Sequence, residues 1–586
     1  MKAALEALIA KIDSEIDSTT PVDRLQQAAT LLRQLARNQD DVESLIPQLS
    51  AALQEDTSSS TAARRHAGAF YTPTALVNHC LDQSLDPWLD QHDPDLIPDV
   101  LDPCCGTGRF LLAAGQRLVD RMTADTLCSQ QEAWSKIGPH LHGFDRDPLP
   151  IAWLQGRLNT LAGDDPCASK SIRQTDALAD GALPQITADV ILGNPPFGTP
   201  LRHTTDAEKI RKRAATVLQQ PLGPYADMAA VFLLLSASAL RANGRMSLVQ
   251  PISVLAARDT GAIRDQVLQI TSLQSTWASA TSVFDAQVHT CVLSLSRTPT
   301  KPALVERFGG LPPQRLTPIA PPTIDMTWSS LATTALGIPD MPPWRTCGTL
   351  GDFAFATADF RDQYYGLKGA VAEADKDEQT HQGPPLVTTG LIDPAQCAWG
   401  HRPCRIHGQT WKRPIVKLDQ LDRNMQNWAQ ARLVPKVLLP TQTRVLEPVL
   451  DQTGRWLPSV PIISLTAPDH LLGRIGAMLL CPLISLLAVH RRLGTARTPD
   501  AIKLSASDVL MLPCPSDECA WDAAAELFVQ AHQDGTPHKA LSHCANTMMQ
   551  AYNIPENTAT TFLDWWKQRL PKSIQPTDCT VISTSF

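Results

Sequence analysis

The chain has 586 residues, 43% of them hydrophobic, with 51 Lys and Arg against 59 Asp and Glu for a formal net charge of −8. The apolar share excludes global disorder, and at roughly 100–200 residues per domain the length implies two to four domains. The charged N-terminus is no signal peptide, the 14 Cys form no compact disulfide framework, and the longest apolar stretch without a charge, Ile475–His490, is broken by Pro482, so a cytoplasmic protein with reduced cysteines and no membrane partner is expected.

Residues 1–60 read as a helical, acidic N-terminal segment with ten Asp/Glu and five Lys/Arg, closed by Ser58-Ser59-Ser60-Thr61. Residues 61–300 alternate short apolar runs with helical patterns. Strands are expected at Asp99–Leu101, Leu141–Phe144, Ser171–Gln174, Ala188–Leu192, Met246–Val249 and Thr290–Leu295. Helices are expected at Phe110–Val119, from Pro148 to Leu161, and at Met228–Leu240. Repeated βα units predict an α/β fold with a doubly wound, Rossmann-like sheet. Pro312, Pro313, Pro318, Pro321 and Pro322 mark 301–340 as a linker. Residues 341–515, rich in Trp and Pro with short apolar runs, suit a mixed α+β second domain, and 516–586 a helical tail.

Three strand ends in the first half carry polar residues in a suggestive order. The first runs into Asp102-Pro103-Cys104-Cys105-Gly106-Thr107-Gly108, a turn whose two glycines let the backbone approach a ligand. It lacks the Lys-Ser/Thr of a phosphate-binding loop. The second ends in Asp145-Arg146-Asp147, where an acidic side chain suits a pair of ribose hydroxyls; Asp147, just before Pro148, equally suits a helix cap. The third is followed by Asp176, an acceptor for an exocyclic amine. Together they describe a nucleoside-shaped cleft at the carboxyl edge of a sheet. A fourth strand ends in Gly193-Asn194-Pro195-Pro196-Phe197-Gly198, where the prolines donate no N–H and leave carbonyls, an amide and an aromatic face.

With Gly68-Ala69-Phe70-Tyr71-Thr72-Pro73 upstream, this series resembles the gamma class (TaqI-like) of S-adenosylmethionine-dependent DNA adenine-N6 methyltransferases, whose catalytic signature is (Asp/Asn/Ser)-Pro-Pro-(Tyr/Phe/Trp). The likeness covers about residues 66–515 and leaves out the N-terminal segment and the tail. It implies S-adenosylmethionine as cofactor, held by Tyr71, Thr72, Asp102, Cys104, Gly106, Gly108, Asp145 and Asp176. It implies catalysis by Asn194, Pro195, Pro196 and Phe197 on an adenine flipped out of duplex DNA, with Phe284 a candidate second stacking face or else a core Phe. It makes 341–515 a target recognition domain. Alternatives are a type I-like modification subunit that needs a separate specificity subunit, and an RNA or protein-glutamine methyltransferase. A restriction nuclease or other defence component is a candidate partner.

The net acidity hides a local reversal. Between 395 and 445 lie nine Lys/Arg and two Asp, with Trp399, Trp411 and Trp428 interleaved. Arg402, Arg405, Lys412, Arg413 and Lys417 are therefore candidates for DNA phosphates, with the tryptophans and nearby amides for base readout; a solvated charged face is the bland alternative. Arg211, Lys212 and Arg213, after the catalytic motif, are candidates to border the flipped nucleotide. Cys397, His401, Cys404 and His407 are too tightly spaced for a zinc finger, so no metal is expected.

Overall fold

A computed structural model describes residues 72–574 except 125–127, 198–205, 224, 282, 285–288, 325, 342–343, 360, 375–382, 497–500 and 534–536. The expected N-terminal helical segment and Tyr71 lie outside the described residues. The chain divides into two units, Met1–Gly337 and Ile338–Phe586.

The first unit is built on β1 (Val100–Asp102), whose residues are all buried. Helix α1 (Thr74–Leu89) precedes it, and α2 (Arg109–Ala124) and α3 (Gln130–Ile137) lead on to β2 (Leu141–Asp145). Next, α4 (Pro148–Leu161) starts on Asp147, whose carboxylate accepts the Leu149 N–H at 3.1 Å, with Pro148 in the first turn where no amide hydrogen is required. Then follow β3 (Ile172–Gln174), β4 (Ala188–Gly193), α5 (Ala207–Leu218) and α6 (Met228–Ala239). Helix α6 is buried on nearly every face, as its uniformly apolar sequence requires.

β5 (Leu240–Pro251) begins six residues before the expected start; Asn243 at φ 62° lies at its irregular N-terminal end, where its register against β4 shifts. After α7 (Gly261–Ile270) come β6 (Ser272–Ala278), β7 (Thr290–Ser296), β8 (Val305–Gly309) and β9 (Gln314–Ile319). All nine strands form one sheet in the order β3-β2-β1-β4-β5-β7-β6-β8-β9. The first five run parallel, and β7 lies antiparallel between β5 and β6. The strand order reverses between β1 and β4, which places a crevice at their carboxyl ends.

The expected linker at 301–340 is not one. It carries β8 and β9, the outer strands of the sheet, and Arg307 of β8 is fully enclosed, donating to Thr317 O at 2.7 Å and Ser330 O at 2.9 Å. The prolines sit at the strand ends and on the edge strand, where no ladder N–H is lost.

The second unit holds an antiparallel sheet. Its elements include β10 (Phe355–Ala358), helix α8 (Arg423–Arg432), β11 (Lys436–Pro440), β12 (Val449–Asp451) and β13 (Ile462–Thr466), with sheet order β10-β13-β11-β12. Two small ribbons lie between β10 and β11 in sequence. One pairs 371–373 with 414–416; the other pairs 404–406 with 409–411 through a turn at His407 and Gly408, both at positive φ.

The apolar run around Pro482 forms two buried helices, α9 (Asp469–Leu480) and α10 (Pro482–Arg492), bent by 64°. No single helix among the described residues is long and apolar enough to cross a membrane. The expected tail is part of this unit, as α11 (Glu518–Gln533), α12 (Pro537–Ala551) and α13 (Glu556–Arg569). Phe528 of α11 lies so close to Gly476 of α9 that a Cβ there would fall 2.0 Å from its ring.

Candidate active site

Asp102 ends β1 and is almost wholly buried. Its Oδ1 accepts the Cys104 N–H at 3.0 Å, which turns the chain into the Gly loop. Gly106, at φ +50°, adopts a conformation that side chains disfavour, and a Cβ there would meet nothing within 4 Å. The loop is therefore open above Gly106. Gly108 answers a different need: a Cβ would fall 2.3 Å from Leu154 of α4, so the glycine allows the loop to pack on that helix.

Asp145 ends β2 and reaches the same loop. Its Oδ2 accepts the Gly106 N–H at 2.9 Å and its Oδ1 the Asp147 N–H at 2.9 Å. Each oxygen thus has one lone-pair direction used and one remaining, the pattern a vicinal diol requires. Burial raises the Asp145 pKa against the lowering effect of those two N–H donors. Burial likewise pushes Asp102 up to about 8, with the Asp145 charge adding to the shift.

Asp176 follows β3. Its Oδ1 accepts the N–H groups of Leu178 at 2.9 Å and Ala179 at 2.8 Å, and its Oδ2 lies 3.9 Å from Arg146 Nη1.

Asn194 leaves β4 immediately after Gly193. That glycine is required by a close approach, since a Cβ there would lie 2.7 Å from Asp102 Oδ1. The Asn194 Nδ2 donates to the buried Thr72 hydroxyl at 3.2 Å. Thr72 is thus beside the amide of the Asn-Pro-Pro-Phe turn, a contact that sequence reading did not foresee. Pro195 and Phe197 are buried and Pro196 half-buried. Phe284 lies beside Phe197, with ring centroids 6.3 Å apart and planes at 69°. The rings stand edge to face, both nearly enclosed, with no parallel slot between them.

The basic candidates separate into two groups. Arg213 points inward, its Nη1 donating to the Leu178 and Ala179 carbonyls, so it does not border an open groove as expected. Lys212 is exposed and Arg211 half-buried. In the second unit Arg402 pairs with Asp393 and donates to Gly390 O at 2.9 Å. Arg432 pairs with Asp359 at 2.6 Å, and the fully enclosed Lys436 with Asp451 at 2.5 Å. Arg405 and Lys412 are exposed, while Arg413 and Lys417 are half-buried.

The tryptophans expected to read bases are half-buried and tied into the fold of this unit. Trp399, Trp411 and Trp428 pack on the apolar core of this unit. Their indole N–H groups donate to Pro414 O at 2.8 Å, Ile406 O at 3.4 Å and Asp359 Oδ1 at 3.0 Å. A large ring with one polar atom is well used this way. Among the described residues no group of three or more His, Cys, Asp and Glu converges as a metal site.

Comparison with known proteins agrees with this geometry. Residues 57–305 match the family model described as N-6 DNA methylase. The type II methyltransferase M.VspI of Vibrio sp. (strain 343) is 28% identical over 177 residues, 30% of this chain and 35% of its own length. The methylase subunit of the type I restriction enzyme EcoEI of Escherichia coli is 26% identical over 190 residues, 32% of this chain and 34% of its own. The match thus spans about a third of each of these curated relatives. The structure of the type IIL restriction-modification enzyme MmeI in complex with DNA shares the fold at a TM-score of 0.54 and 13% identity, covering 91% of this chain and 84% of that one. Residues 57–305, the segment that contains the Gly loop, the three strand-end aspartates and the Asn-Pro-Pro-Phe turn, match the N-6 DNA methylase family.

Proposed function

We propose that this protein is a site-specific DNA methyltransferase that transfers a methyl group from S-adenosylmethionine to the N6 amino group of an adenine flipped out of the duplex. The observation that carries this reading is the placement of Asn194 directly after Gly193, within a Cβ's reach of Asp102 and one strand from the open Gly loop.

The residues present fit the cofactor. The space above Gly106 admits its backbone-facing part, the remaining lone pairs of Asp145 suit the ribose diol, and Asp176 Oδ2 suits the adenine amine. Tyr71, Thr72, Asp102, Cys104 and Gly108 complete the set by resemblance. S-adenosylmethionine supplies an electrophilic methyl group, so the protein's task is to make the adenine amine a better nucleophile. That lone pair is delocalised into the ring. The Asn194 amide oxygen and the Pro195 carbonyl accept its two hydrogens and favour a more tetrahedral nitrogen. Asn194 Nδ2 donates to Thr72, so the amide oxygen is the end proposed to accept from the substrate. Phe197 offers the stacking face. With Phe284 edge-on to it, one ring must turn when a base enters.

DNA is the proposed partner, approached through the exposed Arg405 and Lys412 and, on helix α5, the exposed Lys212 and half-buried Arg211. Membership of a restriction-modification or related defence system, with a nuclease as further partner, is part of this proposal. The EcoEI methylase subunit among the relatives favours a second reading, a modification subunit that needs a separate specificity subunit. One experiment separates the two. The chain is expressed alone in a host lacking adenine methylation, and its DNA is read by modification-sensitive long-read sequencing. N6-methyladenine at one motif supports the self-sufficient enzyme, methylation only with an added specificity subunit supports the second reading, and none under either condition overturns both.

A further inference from the structure

We propose that Arg213 is a positioning residue that couples cofactor binding to duplex binding by fixing the Leu178–Ala179 segment between Asp176 and helix α5. The inference rests on the proposed role of Asp176 at the cofactor.

The segment is held from two sides. Asp176 Oδ1 takes the N–H groups of Leu178 and Ala179 at 2.9 and 2.8 Å, and Arg213 Nη1 donates to the carbonyls of the same two residues. A guanidinium is a planar, permanently charged donor well suited to hold carbonyls together. Room for it is made by Gly181, at φ +76°, where a Cβ would lie 2.6 Å from Arg213 Nη2. The loop is tightened further by Asp180, whose Oδ2 accepts the Asp176 N–H at 2.9 Å and the Thr175 hydroxyl at 2.9 Å. Lys209, one turn before Arg213, and Arg213 itself both act on the Asp180 charge.

Helix α5 has a second, different face. Arg211 and Lys212 border an open cavity of about 520 Å³, the side on which a nucleic-acid strand is proposed. Ile210, Ala214 and Leu218 form a buried stripe that seats the helix on the first unit. A seated helix responds as one body, so ordering its Arg213 side also orders its Arg211 and Lys212 side. Coupling of this kind is reciprocal: whatever cofactor occupancy does for duplex affinity, the duplex does for cofactor affinity.

The test uses the full chain and a duplex bearing the methylated motif. Duplex affinity is measured with and without saturating S-adenosylhomocysteine, which cannot transfer a methyl group. In the wild type this ligand should tighten duplex binding by at least about five-fold. In Arg213→Gln the ratio should fall to one, and Gly181→Ala, which crowds the guanidinium, should reproduce the loss even if Arg213→Gln does not fold. A wild-type ratio of one, or an unchanged ratio in both variants, overturns the coupling role. Asp176→Ala separates this failure from that of the underlying reading. If it leaves S-adenosylhomocysteine affinity unchanged, the cofactor role of this loop is wrong. If it weakens that affinity while the Arg213 and Gly181 variants keep the ratio, only the coupling is wrong.

Discussion

The Asn194 amide and the Thr72 hydroxyl meet at 3.2 Å across 122 residues of chain. The contact joins the upstream motif to the turn that carries the proposed chemistry, and it fixes which end of the amide is spent on the protein. Thr72→Val should therefore lower turnover by roughly 2- to 12-fold, the equivalent of one neutral hydrogen bond worth about 0.5–1.5 kcal/mol, while Thr72→Ser preserves it. Asn194→Ala should abolish transfer yet bind S-adenosylmethionine as the wild type does. Single-turnover kinetics and calorimetric binding check both; wild-type turnover in Asn194→Ala would remove that residue from the mechanism.

Asp145 should act on affinity instead. Its two oxygens already orient the Gly106 and Asp147 amides, so Asp145→Ala loses both the loop's anchor and the acceptor for the ribose. Loss of hydrogen bonds to a charged acceptor, at about 1.5–3 kcal/mol, predicts a cofactor dissociation constant raised roughly 10- to 150-fold. Asp145→Asn should fall between. A dissociation constant within two-fold of wild type for Asp145→Ala, two-fold being about 0.4 kcal/mol, would place the ribose elsewhere.

The buried Asp102 makes a prediction about pH. Its pKa rises from the ordinary 3.8 to about 8 on folding, mainly through burial. Between these values the folded chain holds a proton that the unfolded chain has released. Stability must then fall as pH rises through that window and level off above it. Asp102→Asn keeps an acceptor for the Cys104 N–H without the charge, so its melting temperature should decline less steeply from pH 5 to 8 than that of the wild type. The difference between the two chains isolates Asp102, because Glu447 is also raised to about 8 by burial and titrates in both. Parallel melting curves would show that Asp102 is not the group responsible.

How far the sequence carried can be argued from particular residues. The parallel core is legible because its central strands are short apolar runs ending in turn signals, and Asp102, Asp145 and Asn194 fall at the ends of adjacent strands. β8 and β9 are not, because proline-rich sequence resembles a linker and only tertiary pairing shows that an edge strand tolerates it. The Thr72–Asn194 contact and the need for Gly193 beside Asp102 depend on distances that no local pattern encodes. Between 395 and 445 the surplus of Lys and Arg overstates the unpaired positive charge. The acids that neutralise Arg402, Arg432 and Lys436 are Asp393, Asp359 and Asp451, all outside the counted window.

That sorting of charges yields the last prediction. Arg405 and Lys412 are exposed, whereas Arg432 forms a largely enclosed pair with Asp359, whose carboxylate also accepts the Trp428 indole N–H. The two classes should fail differently. Arg405→Glu with Lys412→Glu should leave the melting temperature nearly unchanged but weaken duplex binding at every sequence, and should reduce the slope of log affinity against log salt by about 2 in magnitude, close to one counterion per lost phosphate contact. Arg432→Ala should do the reverse. Removing one partner of a buried pair strands the other charge, at about 3–5 kcal/mol, so urea unfolding should show a large loss of stability while the salt slope of the protein that remains folded is retained. The measurements are equilibrium binding across a salt series and denaturant unfolding, applied to both variants. An unchanged salt slope in Arg405→Glu/Lys412→Glu would exclude this surface from phosphate contact and direct attention to Arg211 and Lys212 on helix α5.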